Sequence, residues 1–188
     1  MRLSIFGIWS KISFCSLLGV APCYNPSYYE WFYEEDNMQE NLTIEEIDEV
    51  VAAIRSRVEI APRVGLILGS GLSHFAESVE NAASIPFSDL PHWPVSTVKG
   101  HSGRLVLGQL EGQDVFVMQG RIHFYEGYTM QQVTLPVRVM QRMGVEILVV
   151  TNAAGGIADA HQPGDVMLIT DHINFPGLIG KSPMHGPN

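Results

Sequence analysis

Cysteine is nearly missing from this sequence: Cys15 and Cys23 are the only two in 188 residues. Residues 24 to 188 therefore hold neither a disulfide nor a thiolate metal site, a usage that fits a reducing cytoplasm. Basic residues are scarce as well. Eleven Lys and Arg against 20 Asp and Glu give a formal net charge of −9, and without clustered cations the chain lacks the electrostatic footprint of a nucleic-acid binder. Any phosphate it binds is a small one, held locally. No His-Glu-x-x-His, no paired histidines at ligand spacing and no carboxylate loop occur, so no metal site is expected. Also lacking is a run of roughly 18 to 20 uninterrupted apolar residues, the length a membrane helix needs. Lys11 breaks the apolar stretch of residues 1–23, and no small-x-small cleavage site precedes Cys23, which argues against a secretory signal.

What is present is ordinary globular composition, 46 % hydrophobic and 16 % charged, enough for one domain with a core. Residues 1–37 stand apart, apolar at first and then rich in aromatics and acids. We read them as a non-native or disordered extension, and residues 38–188, beginning at Met38, as the domain. Thr43 and Glu46 form a capping box, followed by Ile44, Ile47, Val51, Ile54 and Val58 at helical spacing, so a helix is predicted up to Pro62. The apolar run 64–68 predicts a buried strand, residues 104–110 and 114–119 flank a hairpin turn, and 147–151 and 166–170 predict further buried strands. Thr129 with Gln132 caps a second helix that reaches Met143, stops at Gly144 and is bent by Pro136. Strands and helices alternate around an embedded hairpin, so the expected fold class is α/β, a layered domain with a mixed central β-sheet flanked by helices. The loop-like ending, His185-Gly186-Pro187-Asn188, reads as an incomplete C-terminus.

Chemistry concentrates in a few segments. Gly69-Ser70-Gly71 follows a strand, where glycines admit a ligand to the backbone and amides favour an anion. It is neither a Walker loop nor a dinucleotide fingerprint, because no Gly-Lys-Ser/Thr follows and position 74 is His74 rather than glycine. A plain strand-to-helix turn explains it equally well. His101, in His101-Ser102-Gly103-Arg104, reads in isolation as a structural histidine. In the run from Gln119 to Tyr128, Arg121, His123 and Tyr125 share one face if the strand continues. Arg121 can fork onto an oxyanion, His123 can donate to phosphate or a sugar hydroxyl, Tyr125 can touch a ribose, and Glu126 can orient a histidine. The turn Asn152-Ala153-Ala154-Gly155-Gly156 brings backbone amides close to a ligand or simply packs tightly.

Taken together, these segments resemble the trimeric purine nucleoside phosphorylases. Gly69-Ser70-Gly71-Leu72, Lys99-Gly100-His101-Ser102-Gly103-Arg104-Leu105, the run from Gln119 to Tyr128, the turn from Val150 to Gly156, and Asp171-His172-Ile173-Asn174 occur in that family's order over about residues 43 to 188. Methylthioadenosine phosphorylases are less similar, since they typically carry Thr-Ala-Cys-Gly where this chain has Asn152-Ala153-Ala154-Gly155. The resemblance implies phosphate contacts from Ser70, His101, Arg121, His123 and the Ala153 amide, a ribose contact from Tyr125, and support from Glu126 and Asn152 behind them. Ser73-His74 departs from the glycines of many relatives, which alters the loop and leaves Ser70 in place. The implied activity is cleavage of purine (deoxy)ribonucleosides by inorganic phosphate, a co-substrate, to free purine and (deoxy)ribose 1-phosphate, with no cofactor and no metal. Purine nucleoside and phosphate are the implied partners of a cytoplasmic homotrimer serving purine salvage. The family's purine-binding residues are expected beyond Asn188, so residues 1–188 alone are expected to be inactive. A non-catalytic phosphate- or nucleotide-binding module and a methylthioadenosine phosphorylase relative stand as the alternatives.

Overall fold

The computed structural model describes residues 42–69, 71–95, 103–178 and 180–184. The predicted boundary at Met38 falls outside them. The first helix, α1 (Ile44–Arg55), begins where expected: the Thr43 hydroxyl accepts from the Glu46 N–H at 3.1 Å, and the Glu46 carboxylate accepts from the Thr43 N–H at 2.7 Å. It stops at Arg55 with Ser56 as its cap, short of Val58 and Pro62. The buried face is Ile47, Val50, Val51 and Ile54, while Ile44 is 42 % exposed. The predicted stripe thus needs Val50 in place of Ile44, which is the helix's first residue.

Five strands form one mixed sheet: β1 (Val64–Leu68), β2 (Glu80–Pro86), β3 (Arg104–Leu110), β4 (Gln113–Gln119) and β5 (Ile147–Val150), in the order β2-β3-β4-β1-β5. β1 runs parallel to β4 and β5, whereas β3 is antiparallel to β2 and β4. The β3–β4 hairpin turns on Glu111 and Gly112, at φ 50 and 72, both left-handed, a geometry that matches the twist of the flanking strands. β2 was not expected, because its sequence holds a single β-branched residue, Ile85. It forms as an edge strand with a register shift between Glu80 and Ala83 and a positive φ at Asn81, the irregularity that edges tolerate.

Alternation along β3 and β4 feeds two cores. Leu105, Leu107, Phe116 and Met118 join α1 and the helix α2 (Met130–Met143) on one face. Val106, Val115 and Val117 join Leu68, Ala76 and Val79 on the other. The helix α2 has the expected Thr129 and Gln132 capping box and the Gly144 stop, at φ 102, and runs through Pro136. Arg142 clamps it to α1 with two hydrogen bonds to Asp48, at 2.8 and 2.6 Å.

The run 166–170 forms no strand, contrary to the sequence prediction. A strand needs a ladder partner, and β5, the last strand of the sheet, pairs with β1 alone among the described residues. Val166 is 97 % exposed, and the β5 residues themselves are exposed. The only later helix is the four-residue α3 (Phe175–Leu178) among the described residues.

The hydrogen bond from Arg142, aided by its charge, holds the Asp48 carboxyl below its ordinary 3.8. A carboxylate with a depressed folded value stabilises the fold above its unfolded value and loses that contribution as pH falls through the folded one. The Asp48→Asn protein is therefore expected to melt below the wild type at neutral pH, by a margin that shrinks as the pH drops below 3.8. Thermal melts between about pH 3 and pH 7 at low salt check this, and a margin independent of pH refutes it.

Candidate functional site

Because β1 is parallel to both neighbours, three strands finish at one edge of the sheet. Leu68 is level with Gln119, and Ile67 with Val150, so Gly69, Gly120 and Thr151 leave their strands side by side. The carboxyl ends of parallel strands are where open α/β sheets bind ligands. β3 runs the other way and begins there, with Arg104 opposite Gln119. A Cβ on Gly120 would lie 3.3 Å from the Gly103 Cα, which places the end of the His101-Ser102-Gly103-Arg104 segment against the start of the Arg121 segment. Ser70 and His101 themselves lie outside the described residues.

Gly120, at φ +98, turns the chain out of β4 and ends the ladder. The guanidinium of Arg121 then reaches across the edge, Nη1 donating to the Thr151 carbonyl oxygen at 2.7 Å. The strand does not continue through Arg121, His123 and Tyr125 as the one-face prediction requires. Residues 121–123 are irregular and Phe124–Glu126 is one turn of 3-10 helix. His123 and Tyr125 nonetheless meet, their rings stacked 4.8 Å apart at 12°, with Tyr125 79 % exposed. Glu126 Oε1 accepts from the main-chain N–H of His123 at 2.8 Å, so this carboxylate fixes the backbone that carries the imidazole. Asn152 and Ala153 follow β5 on the exposed turn, the Asn152 side-chain amide donating to the Ala153 carbonyl at 3.5 Å.

Two residues with no predicted role tie these segments together. The Thr151 hydroxyl accepts from the Gly69 N–H at 2.8 Å and donates to the Ile67 carbonyl at 3.3 Å. Gln119 donates through Nε2 to the Ser73 carbonyl at 2.8 Å and accepts through Oε1 from Arg104 Nε. Each directly follows a run of four apolar residues, 115–118 or 147–150, and a polar residue in that place is the signal that could have singled them out. Beneath the edge lies a recess of about 140 Å³ lined by Ile67, Trp93, Met118, Ile122 and Val150 among others, with Arg121 as its one charged wall.

The arrangement offers a fixed cation and strand-end backbone to a small anion. Among the described residues no three His, Cys, Asp or Glu stand close enough to hold a metal ion, and no helix is long and apolar enough to cross a membrane.

Residues 63–188 match the family model of the phosphorylase superfamily. Purine nucleoside phosphorylase 1 of Geobacillus stearothermophilus is 54 % identical over 142 residues, covering 76 % of this chain and 51 % of its own. The Schistosoma mansoni purine nucleoside phosphorylase solved with inosine superposes with a TM-score of 0.71 at 44 % identity, over 79 % of this chain and 53 % of that one. A purine nucleoside phosphorylase solved with ribose 1-phosphate gives 0.71 at 45 % identity, over 78 % and 54 %. The chain thus spans about half the length of the relatives it matches.

An added Cβ at Gly69 would overlap the Thr151 carbonyl oxygen, whereas one at Gly155 would meet nothing within 4 Å. Gly69→Ala is expected to cost roughly 1–3 kcal/mol, as forced overpacking does, while Gly155→Ala stays within about 0.5 kcal/mol of the wild type. Urea unfolding of the two variants measures the difference, and equal costs would refute the packing argument.

Proposed function

This chain belongs to the phosphorylase superfamily, and from that premise we propose that it is the phosphate-binding part of a purine nucleoside phosphorylase. The observation that carries the reading is the Arg121 guanidinium fixed at 2.7 Å on the Thr151 carbonyl, where the ends of β1, β4 and β5 meet. The relatives solved with inosine and with ribose 1-phosphate supply the substrate class.

In the proposed reaction a phosphate oxygen attacks the anomeric carbon of the nucleoside from one side. The new C–O bond forms as the C–N bond to the purine breaks, and the bonding pair leaves with the base, which takes up a proton. Positive charge grows on the sugar, so a phosphate held in line is both nucleophile and electrostatic partner. Ser70, His101, Arg121, His123 and the Ala153 amide hold the phosphate, Tyr125 meets the ribose, and Glu126 and Asn152 support their neighbours. Phosphate is the co-substrate and no cofactor takes part. The protein works as a cytoplasmic homotrimer, with residues 1–37 an extension to the domain that begins at Met38.

The 188-residue chain by itself is expected to bind phosphate without useful turnover. Activity is tested by joining residues 43–188 to the remaining half of the Geobacillus relative. Hypoxanthine should then appear from inosine only when phosphate is present, with an equal amount of ribose 1-phosphate. Arg121→Ala should lower kcat/KM for phosphate by about tenfold or more, the size of one charge-assisted contact, and leave KM for inosine little changed. Release of free ribose, or turnover indifferent to phosphate, would overturn the reading.

A further inference from the structure

Thr151 uses every polar group it has on the other segments of the edge. Its N–H donates to the Ile67 carbonyl at 3.0 Å. Its hydroxyl donates to that same oxygen at 3.3 Å and accepts from the Gly69 N–H at 2.8 Å, and its carbonyl accepts from Arg121 Nη1 at 2.7 Å. The hydroxyl thereby gives its single proton and accepts one N–H. Gly69 lies so close to the Thr151 carbonyl that no side chain fits between them.

From this geometry we infer that Thr151 is the positioning residue of the anion site, setting Arg121 and the turn after β1 in register before a ligand arrives. The inference rests on the phosphate-binding reading above and deepens it, since it gives Thr151 a role through the segments it holds. A guanidinium has five donors in a rigid fork. Committing one of them to the Thr151 carbonyl fixes the direction of the rest, so that little side-chain freedom is lost when an oxyanion binds. The hydroxyl does for the end of β1 what the carbonyl does for the arginine: it commits the Gly69 N–H to the frame and fixes where the chain leaves the strand. Because both contacts issue from one residue, the two sides of the site cannot shift independently.

A purely structural threonine would affect stability and leave the affinity of the folded protein for phosphate alone. The two are separated on the 188-residue chain by titrating inorganic phosphate at constant ionic strength, with ³¹P NMR as readout and melting temperatures in parallel. Thr151→Val keeps the branched shape and deletes the hydroxyl, stranding the Gly69 N–H. It should raise the phosphate Kd by about three- to tenfold, the range for one lost hydrogen bond, whereas Thr151→Ser, which keeps the hydroxyl, should stay within about twofold of the wild type. If Thr151→Val fails to fold, Thr151→Ala carries the same comparison. An unchanged Kd in a folded hydroxyl-free variant, while Arg121→Ala weakens binding, overturns the inference and leaves the site reading intact. So does a Thr151→Ser protein as weak as the hydroxyl-free one. A wild type that binds phosphate no better than Arg121→Ala overturns the site reading and this inference with it.

Discussion

Parallel pairing on both flanks of β1 is the constraint on which the rest depends. With β4 on one side and β5 on the other, all running in one direction, three strand ends arrive at one edge and release Gly69, Gly120 and Thr151 within hydrogen-bonding reach of each other's segments. An antiparallel neighbour would have sent one of these turns to the opposite edge. The antiparallel β3 adds the remaining segment, because its start, not its end, lies opposite Gln119. Segments far apart in sequence are thus gathered by topology alone.

Gathering is not the same as fixing, and the fixing falls to polar groups at the ends of apolar strands. β3 and β4 are buried on both faces, with Phe116, Val117, Leu105 and Leu107 at 0 % exposure, and such strands cannot accept a polar side chain in mid-course without a partner. At their ends they can. Gln119 stands at the end of β4 and Thr151 directly after the exposed β5, and each bonds to other segments of the site. The site is therefore a continuation of the sheet's own hydrogen bonding, carried from backbone to side chain where the ladder stops.

How far this could be read from the sequence depends on the range of the interaction involved. Local signals held: the capping boxes at Thr43 and Thr129, the stop at Gly144, and the hairpin around Glu111 and Gly112 all form. Each is decided by residues three or four apart. Readings that depended on distant partners fared less well. β2 exists because β3 offers it an edge, not because Glu80–Pro86 favours extension. The run 166–170 has the composition of a buried strand and lacks a neighbour to pair with among the described residues. The one-face expectation for Arg121, His123 and Tyr125 assumed a strand that Gly120 interrupts, yet the histidine and tyrosine rings still stack. Of the site residues proposed for phosphate and ribose, Arg121, His123, Tyr125 and Ala153 fall among the described residues. Thr151 and Gln119 were overlooked because their importance lies in what they hold rather than in what they could touch.

An in-line displacement has two sides, and the geometry of this edge speaks to only one of them. On the proposed reading the nucleophile needs positive charge, which the anchored arginine of this edge supplies. The leaving purine gathers negative charge on the far side of the anomeric carbon, and rate depends on stabilising that charge in the transition state as well as on holding phosphate. On the proposed reading Arg121 acts on the phosphate side, and its bond to the Thr151 carbonyl limits its reach. On that reading an arginine free to swing toward the base would dilute the in-line placement of the nucleophile, so the anchor also confines Arg121 to one role. On this reading the edge specifies the co-substrate and leaves the identity of the base to groups that approach from the opposite side of the sugar.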